Sequence, residues 1–201
     1  MAKLEDYERV EVASRGEWRD WLAQNYERKE SIWLVTYKKR AGDRYLPYDA
    51  IVEEALCFGW IDSLPRRLDD ERTMLLLSPR KPKSVWSKLN KTRVEQLIAA
   101  ELMMPAGMTK IERAKQDGAW TFLDDVEALI VPEDLAAALD ENMAAKETFE
   151  SFSPSSKKGI LQWIKMAKRQ ETRQKRIEKT LATYPIAFSP TAALATVFSI
   201  R

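Results

Sequence analysis

Signals for β-strands are confined to residues 31–77, whereas from about Val131 onward the chain carries helical signals alone. This partition restricts the fold to helices and strands segregated along the chain. The run Ser31-Ile32-Trp33-Leu34-Val35-Thr36-Tyr37-Lys38-Lys39 is rich in β-branched and aromatic residues and precedes the turn signal Ala41-Gly42-Asp43, which predicts a strand over about 31–38. Trp60-Ile61-Asp62-Ser63-Leu64 and Arg72-Thr73-Met74-Leu75-Leu76-Leu77 flank the charged turn Asp69-Asp70-Glu71 and read as a hairpin. Pro65 places the first of these strands at an edge or ends it early.

Helices are expected around this β segment. Ser14-Arg15-Gly16-Glu17 has the form of a capping box and leads into Trp18, Trp21 and Leu22, giving a helix over about 15–25. Asp49 is a candidate N-cap for a second helix with Ile51, Ala55 and Leu56 on its inner face and Gly59 at the position after its end. Val94, Leu97, Ile98 and Leu102 form a stripe for a helix over about 91–103. A shorter one is expected at 109–116, stopped by Gly118, with Trp120 as an anchor beyond it.

In the later part Pro132 suits the first helical position, Met143 to Phe152 supplies another helix, and Ser153-Pro154 makes a cap and first-turn pair for a third. Thr172 is placed to cap a fourth, with Ile177, Leu181 and Tyr184 as a narrow apolar stripe. The reading is an α+β fold: a small, mostly antiparallel sheet with covering helices over 1–130, then a helical bundle over 131–190 and a tail over 191–201. Residues 124–150 carry nine acidic side chains against Lys146 alone, and residues 157–179 carry nine basic ones against Glu171 and Glu178. Mutual packing with complementary solvated faces is the simpler explanation of that pattern, ahead of a binding surface.

Composition removes many functions. The chain has no histidine and one cysteine, so histidine-based catalysis and an ordinary zinc site are excluded. Cys57 lies in an apolar stretch near a predicted helix C-terminus, where the dipole disfavours a thiolate, and reads as a buried structural thiol. Ser84 with Lys88, and Ser155-Ser156-Lys157-Lys158, have serine–lysine spacings but no glycine-rich segment to hold an oxyanion. Gly16, Gly42, Gly59, Gly107, Gly118 and Gly159 are too far apart for a dinucleotide fingerprint or a phosphate loop. Asp69-Asp70-Glu71 and Asp124-Asp125 read as solvated turns, so no metal and no cofactor are expected. No stretch approaches the ~20 apolar residues of a membrane span, the N-terminus has no apolar leader core, and a cytoplasmic location follows as the expectation.

The proline-broken segment from Ser78 to Asn90 is the one place that points to a ligand. Between Arg80 and Arg93 there are six basic residues and no acid, with Trp86 among them and Ser84, Ser87 and Asn90 as further donors. Pro79 and Pro82 stiffen it, and a helix starting near Lys91 adds backbone N–H groups. The candidate ligand-binding set is Trp60, Asp62, Arg80, Lys81, Ser84, Trp86, Ser87, Lys88 and Asn90. Set against it is a purely structural use: Trp86 plugging the core while Arg80 and Lys88 pair with the 69–71 turn or with Asp62.

Ala55-Leu56-Cys57-Phe58-Gly59-Trp60-Ile61-Asp62 and Ser78 to Asn90 resemble the YdeI/OmpD-associated family of bacterial proteins. Ala114-Lys115-Gln116-Asp117-Gly118-Ala119-Trp120 and Ala167 to Ile177 resemble its later motifs, so the resemblance spans most of residues 18–185. It implies a bacteriocin-protection and porin-association label, a separate C-terminal helical module, and no catalytic residues to carry over. The function expected is a non-enzymatic stress or envelope-protection protein that binds an anionic small molecule or a protein partner. An enzyme with a histidine-free site near Trp60, Asp62 and Arg80 is the alternative. Non-specific nucleic-acid binding through the basic element from Lys165 to Lys179 is disfavoured by the modest pI of about 8.5.

Overall fold

The computed structural model describes residues 4–182. They divide into two compact units that part between Phe122 and Leu123.

In the first unit four strands, β1 (Arg9–Glu11), β2 (Ile32–Tyr37), β3 (Trp60–Arg67) and β4 (Arg72–Pro79), form one sheet in the order β1-β2-β4-β3. β1 runs parallel to β2 and the other pairings are antiparallel, so the fold is α+β with a mostly antiparallel sheet. The three residues of β1 are too few to show a period in sequence. Register places Ile32 opposite Leu77 and Leu34 opposite Leu75 on one face, and Trp33 opposite Leu76 and Val35 opposite Met74 on the other. The first set joins the main core; the second forms a smaller cluster with Tyr7, Leu64 and Leu68. Both faces are therefore covered, which is why β2 and β4 are written as unbroken apolar runs. Pro65 sits on edge strand β3, where a register shift between Asp62 and Pro65 absorbs it and lets the strand continue to Arg67.

Four helices complete the unit: α1 (Arg15–Asn25), α2 (Tyr48–Cys57), α3 (Lys88–Ala99) and α4 (Pro105–Gln116). Ser14 caps α1 by accepting from the Glu17 N–H, while the Glu17 carboxylate accepts from Ala13 N–H at 2.8 Å, one residue before the cap. Asp49 does not cap α2: the helix begins at Tyr48 behind Pro47, and Asp49 pairs with Arg93. α3 starts three residues earlier than the spacing predicts because Ser87 caps it through Asn90 N–H. Val94 and Leu97 are buried as expected, but Ile98 and Leu102 are exposed. α4 is longer than its apolar stripe, since Pro105 is tolerated in a first turn.

The second unit comprises α5 (Asp124–Glu127), α6 (Glu133–Asp140), α7 (Met143–Ser151), α8 (Pro154–Lys165) and α9 (Gln170–Ala182). Leu135, Phe149, Ile160, Leu161, Ile164 and Ile177 are buried in it. Ser153 caps α8 as expected, whereas Pro132 is the residue before α6 and Thr172 lies inside α9. Tyr184 and the 191–201 tail lie outside the described residues. The acidic and basic segments meet within the unit: Lys158 pairs with Glu127 at 2.7 Å, Lys165 with Asp125 at 2.5 Å and Arg173 with Asp134 at 2.6 Å. Arg176 turns inward to the Trp163 carbonyl. Complementary faces thus account for much of the charge pattern.

α1 and α2 are joined by a buried carboxylate. Glu54 is 3% exposed and accepts from Arg15 Nε and Arg19 Nη1, each at 2.6 Å, while the arginines keep 43% and 31% of their side chains in water. The asymmetry sets the energetics, because an unpaired buried charge costs far more than an unpaired exposed one. Arg15→Ala with Arg19→Ala should destabilise the protein by about 3–5 kcal/mol in urea unfolding. Adding Glu54→Gln should restore at least about 1 kcal/mol of that by removing the stranded charge. No recovery in the triple variant would show that lost packing, and not the carboxylate, sets the cost.

Candidate functional site

The site is built where α2 ends. Gly59 terminates the helix at φ +76°, and its carbonyl accepts from the Arg80 N–H at 2.9 Å, tying the start of β3 to the residue just past β4. α4 crosses the same point. Met104 N–H donates to the Cys57 carbonyl at 3.2 Å, and a Cβ on Gly107 would collide with the Cys57 carbonyl and lie 2.7 Å from that of Leu56. A Cβ on Gly59 would meet Lys110 Cγ at 2.6 Å, so the lysine stem lies directly across the glycine. Two missing side chains thus let α4 approach closely enough to form a wall.

Opposite it stands the loop after β4. Lys83 holds φ +60°, and its N–H donates to Asp117 Oδ2 at 3.1 Å while Asp117 Oδ1 accepts from Ala119 N–H at 3.0 Å. Between the walls lies a small cleft, lined by Arg80, Lys81, Pro82, Lys83, Ser84 and Trp86 from the loop and by Lys110, Arg113, Ala114 and Asp117 from α4 and its end. Five of the ten are cationic and one is acidic.

Arg80 is 3% exposed. Its guanidinium stacks on Trp86, 3.6 Å from the ring centroid, and Nη1 donates to Ser84 Oγ at 3.3 Å and the Val85 carbonyl at 3.2 Å. Nε and Nη2 are buried without a hydrogen-bond partner. Burial pushes the guanidinium down to about 9, against the opposing field of Asp62, so it stays protonated at neutral pH. A buried cation whose donors are half satisfied is costly in the empty protein and favourable to an anion.

Of the residues singled out in the sequence, Arg80, Lys81, Ser84 and Trp86 meet in this cleft. Ser87, Lys88 and Asn90 instead form the cap and first turn of α3, and they are not among the lining residues. Trp60 is fully buried in the core, and Asp62 on β3 accepts from the Tyr48 hydroxyl at 2.6 Å. Trp86 does fill the core, but Arg80 does not pair with the 69–71 turn. That turn is occupied by Arg72 on Asp69 at 2.8 Å, by Arg67 on Asp70, and by Lys38 on the Asp69 carbonyl at 2.7 Å. Lys110, Arg113 and Asp117 were missed. Their i, i+3, i+7 spacing beside Ala114 marks one face of a helix and was the available signal.

Two families match the chain. Residues 128–183 match the family described as bacteriocin-protection, YdeI or OmpD-associated, and residues 10–110 match the domain of unknown function DUF8412. The chain belongs to the DUF8412 family, whose match spans half of it, and it carries a YdeI/OmpD-associated domain at residues 128–183. No curated protein matches it, and no solved structure does. The YdeI/OmpD-associated match lies in the second unit, with the 167–177 motif. The 55–62 and 78–90 motifs fall within the DUF8412 domain, and 114–120 follows it. Those three motifs supply Gly59, the Arg80 to Trp86 loop, Ala114 and Asp117, so the cleft gathers most of what is distinctive in the first unit.

Nucleophilic alternatives are poorly supported. Lys158 pairs with Glu127 and Lys157 donates to the Glu150 carbonyl, so both amines are engaged away from Ser155 and Ser156. Cys57 is buried; desolvation first, and the charge of Glu54 second, push its thiol up to about 11 despite opposing help from Arg19. Because the folded value is raised, the stabilisation from keeping this thiol neutral is complete below pH 9 and lost as pH rises through 11. Alkylation of native Cys57 at pH 7.5 should be at least about a hundredfold slower than in denaturant. Comparable rates by mass spectrometry would show an accessible thiolate.

Proposed function

We propose that this protein is a non-enzymatic anion-binding protein and that the cleft between the Arg80 loop and α4 is its binding site. The observation that carries the reading is the buried Arg80 guanidinium with two unpartnered nitrogens among four further cations. In support, a nucleophile paired with a base is lacking at the cleft: Ser84 Oγ accepts a hydrogen bond from Arg80 and has no proton acceptor of its own among the lining residues beyond Asp117, whose two oxygens already accept backbone N–H groups. A role in protecting the cell, as the YdeI/OmpD-associated description of the second unit has it, and a cytoplasmic setting, in keeping with a lone reduced thiol, belong to the same reading.

Nucleic acid is a weaker occupant. One face of Trp86 is covered by Arg80 and the ring packs against Trp120, 5.1 Å between centroids, so it presents no open platform for a base.

The test is thermal unfolding of the full chain with phosphate, sulfate, acetate and oxalate against sodium chloride at matched ionic strength. A ligand at a hundred times its Kd should stabilise by about 2.7 kcal/mol, a shift of a few degrees. Lys110→Ala and Arg113→Ala, at partly exposed positions, should fold normally and lose the shift. If no anion exceeds the chloride control, the protein has no anion site of this kind.

A further inference from the structure

We infer that the cleft takes a tetrahedral phosphate group, either as free phosphate or as the end of a small phosphomonoester; this rests on the anion-binding reading above.

Donor placement is the first argument. Arg80 and Lys83 come from the loop wall, Lys110 and Arg113 from the helix wall. A carboxylate has two oxygens in one plane and is satisfied by a single guanidinium fork. Cations on facing walls suit a group whose three or more oxygens point in different directions.

Charge gives the second. Among the described residues Lys81, Lys83, Lys110 and Arg113 have no ion pair, and all four line the one cleft. The one acid of the lining, Asp117, spends both oxygens on backbone N–H groups. A dianion neutralises this excess better than a monoanion.

The walls give the third. Trp86 is covered, and Trp120 has Lys91 and Lys115 within 5.6 Å of its ring centroid, so a nucleobase finds no free aromatic face. The left-handed backbone at Lys83 is a strained conformation for a lysine, of the kind retained at ligand clamps.

Calorimetric titration of the full chain with inorganic phosphate, glycerol phosphate, sulfate, acetate and oxalate, at constant ionic strength and at pH 7.5 and 5, tests this. Phosphate or glycerol phosphate should bind, and glycerol phosphate should weaken about tenfold at pH 5 as its second charge is lost below a pKa of about 6. Sulfate, doubly charged at both pH values, should bind without that loss. Lys110→Ala and Arg113→Ala should each weaken phosphate by at least about tenfold, with Lys110→Arg retaining most of the affinity. Preference for glycerol phosphate over inorganic phosphate would assign the ligand as a monoester, and the reverse as free phosphate. Equal binding of acetate or oxalate would overturn the phosphate assignment and leave an anion site standing. Phosphate binding that ignores both alanine variants would place it elsewhere and overturn the inference. Absence of all anion binding would remove both readings.

Discussion

The first unit depends on a close approach at Gly59. A residue with a side chain would be strained at φ +76° and would drive its Cβ into Lys110. With glycine there, α2 stops, the chain turns into edge strand β3, and the freed carbonyl takes the Arg80 N–H. One backbone conformation therefore fixes the end of a helix, the open end of the β3–β4 hairpin and the lysine that faces Arg80 across the cleft. Gly107 repeats the device one turn before Lys110, where helix α4 meets the carbonyls that end α2.

Electrostatics follow a consistent pattern outside that cleft. Glu54 holds two arginines, Asp69 and Glu11 share Arg72, and the second unit binds its acidic helices to its basic ones. Exposed pairs of this kind contribute little individually. Against that background Arg80 is anomalous: it is removed from water, stacked on Trp86, and given two of the acceptors its donors require. A stacked, desolvated cation recovers about 2 kcal/mol from the ring, well short of what burying it costs.

Much of the fold was legible because strong local chemistry agreed with the tertiary structure. The Ser14 and Ser153 caps, the β2 run and the hairpin were readable for that reason. Asp49 and Thr172 misled, since a capping residue type one or two positions inside a helix looks the same in sequence, and here Asp49 serves Arg93. The candidate site was half legible. Arg80, Lys81, Ser84 and Trp86 stood out as a basic run around a tryptophan, but a run is contiguous and a cleft is not. Lys110 and Arg113 arrive from a helix about thirty residues on, brought there by two glycines whose purpose lies in three dimensions. Trp60 and Lys88 were close in sequence to the site and separated from it by burial and by the start of α3.

The crossing at Gly107 has a kinetic consequence. With the helix backbone seated against the carbonyls of Leu56 and Cys57, and its first turn bonded to Cys57, the α4 wall has little room to swing. An anion of the proposed kind would meet the α4 cations already in position, and its encounter would be governed by the long-range pull of the clustered cations, which salt screens within about 10 Å at 0.1 M. Selectivity in such a cleft is expressed mainly in how long an ion stays.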